Sequence, residues 1–161
     1  VIQIECETGR RLNFEGDTLE GADLRDLDLH RAVLGRRAMK GVNLTRAILR
    51  SAWMEECDLR EADLTSALLM AANLSRASLQ GAILSDARLN AAILTSADLR
   101  GADVSGADVG GANFEGAMLA GANFDVQRID IAMLEGATFD GDTQWPAEFD
   151  PLAAGCLRSE S

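Results

Sequence analysis

Large apolar residues recur at every fifth position of this chain. From Phe14 the series runs Leu19, Leu24, Leu29, Leu34, Met39, Leu44, Leu49 and Met54, and onward through Val104, Val109, Phe114, Leu119, Phe124, Ile129 and Leu134 to Phe139, with no insertion in the numbering. Two residues before each lies a second, mostly small position: Ala22, Ala32, Ala47, Ala52 and Cys57, then Ala without a break from Ala62 to Ala122. A period of five suits neither common element. On an α-helix it advances the direction by roughly 140° and scatters the series around the axis. On an uninterrupted strand an odd step flips each successive residue to the opposite face. Each five-residue block must therefore hold a bend that resets which way is inward. The two inward positions lie two apart, as extended backbone requires, so the bend falls in the remaining outward residues. Gly stands two residues after the centre at Gly21, Gly41, Gly101, Gly106, Gly111, Gly116 and Gly121, the natural place for a turn with unusual dihedrals.

In this register the sequence resembles the pentapeptide-repeat family, whose consensus Ala-Asp/Asn-Leu-x-x appears as Ala22-Asp23-Leu24, Ala62-Asp63-Leu64, Ala72-Asn73-Leu74, Ala97-Asp98-Leu99 and Ala112-Asn113-Phe114. The resemblance implies an all-β fold, a right-handed quadrilateral β-helix with four blocks to a coil. Residues 12–139 then make about six and a half coils, a rod roughly 30 Å long at the ~4.8 Å spacing of neighbouring strands. Residues 1–11 are expected to cap the N-terminal end, with Val1-Ile2-Gln3-Ile4 as a short strand. Residues 140–161 are expected to cap the other end and to be disordered from Leu157 onward. The stretch Thr143-Gln144-Trp145-Pro146 with Phe149-Asp150-Pro151 looks like a tail that follows many bacterial repeats of this kind. Trp145 and Phe149 are expected to plug the last coil, with binding as the alternative role. Leu27, Arg37 and Gln127 occupy the small inward position and are too large for it. Local swelling is expected there, with the Arg37 head reaching outward; simple tolerance near the ends is the other reading for Leu27 and Gln127.

Composition adds constraints. Aromatics are only 4% and Tyr is absent, so the interior must be aliphatic. A net charge of −11 argues against direct nucleic-acid binding, which needs a basic face. No apolar run is long enough to span a bilayer and no signal-peptide core is visible, which makes no membrane association and a cytoplasmic location the expectation; a chain beginning at Val1 leaves room for a removed leader. Cys6, Cys57 and Cys156 fit neither a disulfide framework nor zinc-ligand spacing, and neither a metal nor a cofactor is expected. His30 is the only histidine and sits on an outer position. Ser and Thr fall where turns want them, and no phosphate or dinucleotide motif occurs. No catalytic residue is expected and the chain does not read as an enzyme.

Two surface features exceed a plain solvated face. Outward positions that the motif normally keeps polar are Val33, Ile48, Trp53, Leu68 and Met70, which twenty-residue stacking would gather near the N-terminal half. They are either an aliphatic ladder that stabilises the coil or a patch for self-association or partner docking. Charge is also uneven: residues 1–100 hold 13 Lys and Arg against 15 Asp and Glu, whereas residues 101–161 hold 2 against 11. Asp98, Asp103, Asp108, Glu115, Asp125, Asp130 and Glu135 are the candidate acidic surface. The favoured function is a non-enzymatic interaction module with an unidentified protein partner, with a homodimer as one form. The alternative comes from resemblance to the quinolone-resistance members of the family: a duplex-DNA mimic that occupies gyrase or topoisomerase and modulates quinolone action. The tail does not look like the helical segment through which those members pair, and the negative excess lies at one end.

Overall fold

The inward series builds the core. In a computed structural model, which describes residues 1–159, every fifth residue from Leu19 to Phe124 is buried, as are Leu134, Phe139 and the alanines from Ala62 to Ala122. The bend between blocks has one geometry throughout. Every fifth residue from Gly21 to Gly121 has a positive φ, between 53° and 70°, and thirteen of these are not glycine. The amide three residues after each centre donates to that centre's carbonyl, for example Ala47 N to Leu44 O at 3.0 Å and Ala77 N to Leu74 O at 3.0 Å. A positive φ at the third residue of such a four-residue turn is the mark of type II. Arg46, Ser51 and Ala71 hold this conformation against a steric penalty of roughly 1 kcal/mol each. Hydrogen bonding to the neighbouring coils sets the turn, and Gly only eases it.

Successive coils stack through parallel bridges between outward residues twenty apart. Four series result. Face A carries Asp23, Asn43, Asp63, Ile83, Asp103 and Asn123; face B carries Asp28, Ile48, Leu68, Arg88 and Asp108. Face C carries Val33, Trp53, Asn73, Ile93, Asn113 and Met133; face D carries Ala38, Asp58, Ser78, Asp98, Met118 and Thr138. Backbone groups are satisfied between coils in both directions: Asn43 N donates to Ala22 O at 2.9 Å, Leu44 N to Asp63 O at 2.7 Å, and the turn amide Arg46 N to Thr65 O at 2.9 Å.

The ends differ from the sequence reading. β1 (Ile2–Cys6) pairs antiparallel with β2 (Arg11–Phe14) and, on its other side, with β3 (Ala32–Val33). Residues 12–14 therefore belong to the cap hairpin and not to the first coil, and Phe14 is only half-buried. The Arg37 head does reach outward, where it donates to the Gln3 carbonyl at 2.9 Å and ties β1 down. At the other end β4 (Thr138–Phe139) pairs in parallel with β5 (Leu157–Arg158). Leu157 N donates to Ala137 O and Ser159 N to Phe139 O, both at 2.7 Å. The expected disorder from Leu157 is thus corrected through Ser159; residues 160–161 lie outside the described residues.

The period of twenty breaks twice: at the C-terminal end Asn123 pairs with Gln144, twenty-one residues on, and inside the coils there is a second fault. Asp103–Asn123 and Asn113–Met133 are twenty apart, but between them Asp108 pairs with Gln127, nineteen apart. Val126, not Gln127, takes the inward place and is buried. Gln127 faces outward and donates to Gly106 O at 2.9 Å. A 3-10 turn (Ile129–Ile131), entered through Arg128 at φ 56°, restores the missing residue and leaves Ile129 half-buried. The sequence series runs on without interruption; the backbone drops one residue and regains it within a coil.

Candidate binding surfaces

The C-terminal end of the core is closed by aromatic stacking. Phe124 lies edge-on to Phe114 (centroids 5.1 Å apart) and to Trp145 (5.3 Å), and Trp145 also meets Phe139 (5.7 Å) and Phe149 (5.3 Å). Thr143 Oγ1 donates to Leu119 O at 3.0 Å. Asp140 Oδ1 accepts from the amides of Gly121, Asp142 and Thr143. The Gly121 amide is the main influence holding the Asp140 carboxyl below its ordinary range.

Two adjacent ladders of apolar residues lie on faces B and C, and single exposed apolar residues lie elsewhere: Ile83 (41%) on face A, Met118 (36%) on face D, and Ile131, Leu152 and Leu157 toward the C-terminal end. Ile48 and Leu68 are consecutive rungs of face B and half-buried, and Met70, also half-buried, sits in the turn leading from B to C. Val33 and Trp53 are consecutive rungs of face C and open, at 45% and 47% exposure. The open ladder continues past the five residues expected from sequence, to Ile93 (41%) and Met133 (45%), with Asn73 and Asn113 between them. The same twenty-residue step that links Val33 to Trp53 leads to Ile93 and Met133, so the signal was in the sequence. Two hollows lie on this face. One of about 310 Å³ is lined by Glu7, Val33, Gly35, Arg36, Trp53 and Glu55; one of about 390 Å³ lies between Trp53, Asn73 and Ile93 and is also walled by Glu7, Arg31 and Ser51.

The acidic candidates separate by environment. Asp98 is nearly buried: Arg100 donates to it from Nε at 2.9 Å, Nη2 at 2.7 Å and its backbone amide at 3.2 Å. Burial raises its pKa, but the Arg100 contacts outweigh this and hold the carboxyl below the ordinary range. Asp108 accepts from Arg128 Nε at 2.7 Å and from the Gly110 amide at 3.1 Å; its burial raises its pKa, but the neighbouring Asn90 side chain, Arg128 and the Gly110 amide together hold it below the ordinary range. The Arg128 guanidinium lies over Gly110, in space that any side chain there would need. Asp98 is therefore corrected from an outward-pointing charge to a paired, nearly buried one. Asp103 accepts from Ser105 N at 3.1 Å on face A. Glu115, Asp125, Asp130 and Glu135 are exposed. Only Glu115 and Glu135 share a column, twenty residues apart beside face C; the seven do not form one surface.

Several other charged groups are paired. Arg36 and Arg76 both engage Glu56, and Arg76 also engages Glu55; Lys40 meets Glu61 at 3.0 Å and Arg60 meets Asp58 at 2.6 Å. His30 Nδ1 is 3.0 Å from Arg50 O. Cys6, Cys57 and Cys156 are free and buried. Cys57 takes an inward small position and its thiol donates to Leu34 O at 2.8 Å; burial pushes it up to about 11, and Cys156 likewise. Among the described residues no His, Cys, Asp and Glu side chains group to hold a metal ion, and no helix is long and apolar enough to cross a membrane.

The comparisons agree with this geometry. The family model described as Pentapeptide repeats matches in eight copies, over residues 28–65, 39–75, 72–110 and 97–125. No curated protein sequence gives a match. Among solved structures, the pentapeptide repeat protein Rfr23 from the cyanobacterium Cyanothece 51142 is similar at 30% identity, covering 80% of this chain and 87% of its own, with a TM-score of 0.56. The pentapeptide repeat protein alr5209 from Nostoc Pcc 7120 is 38% identical over 60% of this chain and 84% of its own, with a TM-score of 0.33. The plasmid-mediated fluoroquinolone resistance protein QnrB1 is 22% identical over 88% of this chain and 84% of its own, with a TM-score of 0.46.

Proposed function

Because the chain belongs to the pentapeptide-repeat family, we propose that it is a non-enzymatic interaction module. In this reading it is a right-handed quadrilateral β-helix of about six and a half coils that offers one side of a rod to a protein partner. Face C carries the reading. Val33, Trp53, Ile93 and Met133 form an open apolar ladder that stacking between coils leaves 41% to 47% exposed. Exposed apolar residues aligned along one face mark contact surfaces. Three unpaired thiols suit a reducing compartment, which supports a cytoplasmic location. Crosslinking in a native lysate tests the role of the face. A photo-crosslinker placed beside it should yield adducts with the native chain that disappear in Trp53→Glu with Ile93→Glu. Identical adducts from both proteins would sink the reading.

The duplex-DNA mimic is less well supported. Two of its seven acidic candidates, Asp98 and Asp108, are neutralised by Arg100 and Arg128.

A further inference from the structure

On the premise that the molecule is an interaction module, the geometry points to the occupant of face C: an amphipathic α-helix of a partner protein, with Lys or Arg along the edge that lies over residues 115–135. The spacing of the ladder selects a helix. Trp53, Ile93 and Met133 are each two rungs apart, which is ~9.6 Å at the strand spacing. Seven residues of α-helix advance ~10.5 Å, so side chains at i, i+7 and i+14 meet the three apolar rungs in turn. The intervening i+3 or i+4 side chain falls over Asn73, where the hollow of about 390 Å³ between Trp53 and Ile93 can receive it. An extended strand repeats its side chains every ~6.7 Å on one face and loses step with the rungs immediately.

Charge selects the sign of the helix. Around Trp53 the acids are already matched: Glu7 holds Arg31, and Glu55 and Glu56 hold Arg36 and Arg76. Toward the other end they are not. Asn113 Nδ2 donates to Glu115 Oε2 at 3.3 Å, so this carboxylate leans onto face C. Met133 is bracketed by exposed Asp130 and Glu135. Among the described residues, none of these three carboxylates has a cation within ion-pair distance, and the nearby Arg128 is committed to Asp108. A second copy of the chain is a poor occupant. Set antiparallel, it offers Arg50 to Asp130 on one edge, but on the other it brings the column of Glu115 and Glu135 against the Arg36–Glu56–Arg76 edge, whose cations are already paired. Set parallel, it brings that column against Gly110, Gly111 and the engaged Arg128. For the column of Glu115 and Glu135, complementary charge must come from a different chain.

Two labelled peptides of about 18 residues test this, both with Leu at heptad a and d positions. One carries Lys at the flanking positions and the other Glu, and fluorescence anisotropy reads their binding to the full chain at low salt. The Lys peptide should bind at least about tenfold more tightly, and Glu115→Gln with Glu135→Gln should remove most of that preference. Trp53→Ser should weaken the Lys peptide by about tenfold with the circular dichroism unchanged. Asp142→Asn with Glu148→Gln, acids away from the face, should change neither peptide. Equal affinity for the two peptides, a preference that survives the double Gln variant, or no binding up to about 1 mM overturns the proposal. Sedimentation of the free chain as a dimer that Trp53→Ser dissociates also overturns it, by making a second copy the occupant; the interaction-module reading would then stand.

Discussion

Cys57 shows how little room a single side chain has in this core. It occupies a position that is otherwise almost uniformly Ala, fully buried, with its thiol on the Leu34 carbonyl. Burial disfavours the thiolate, and both Cys57 and Cys156 are pushed up to about 11. In the unfolded chain a thiol titrates near ~8.5. Between those values the folded state keeps protons that the unfolded state releases. This contribution to stability is therefore whole below about pH 8.5 and is lost as pH rises toward about 11. Cys6 is also pushed up by burial and adds to the same trend, while the chain has no Tyr and Lys40 is its only lysine. The urea midpoint should fall steadily from pH 8 to pH 10.5 in the native chain, and much less in Cys57→Ala with Cys156→Ala. Equal slopes for the two proteins would refute the assignment.

Among the elements, the fault between Phe124 and Met133 makes opposite demands on two neighbours. Val126→Ala removes buried methyl groups and should cost about 1–2 kcal/mol in chemical denaturation. Gln127→Ala, on the surface, should stay within about 0.5 kcal/mol. An unbroken five-residue register would give the reverse order. At the end of the core, Trp145→Ala removes the ring that touches Phe124, Phe139 and Phe149. A loss of roughly 3 kcal/mol is expected, and because coils contact only their neighbours, hydrogen exchange should quicken in residues 119–139 before it changes near Leu44. The coil itself was legible from sequence because each block repeats one local instruction: an apolar centre, a small partner two before it and a turn two after. The faults were not legible. Ile129 and Gln127 keep the right residue types at the right numbers, and only backbone pairing reveals that Val126 has replaced Gln127. The cap was half legible: Ile2 to Ile4 reads as a strand, but nothing local says that Leu12 and Phe14 pair backward onto it. Of the candidate surface, Val33 and Trp53 were found from residue type. Ile93 and Met133 required the step of twenty to be carried to the end, and the burial of Asp98 under Arg100 depends on side-chain placement that no spacing conveys.

For the whole molecule, net charge and charge availability part company. The chain carries −11, yet many of its acids, from Asp26 with Arg46 to Asp108 with Arg128, are spent within ion pairs. Exposed pairs of this kind add little stability, but they do subtract from the field that could steer a basic groove. Added to a gyrase supercoiling reaction at micromolar concentrations, the protein should neither inhibit supercoiling nor protect against a quinolone. Activity in either assay would revive the duplex-mimic reading. The slip at residues 125–131 has a further consequence for the molecule as a whole. It acts like a frameshift followed at once by its suppressor: one residue is lost, one is restored, and Met133 and Thr138 resume pairing twenty residues from Asn113 and Met118. A solenoid that absorbs such an error within a single lap does not need every lap to have the same length. The 3-10 turn at Ile129–Ile131 is thus a splice point, where a foreign loop can enter while the reading frame of the ladder, and the aromatic lid beyond it, stays intact.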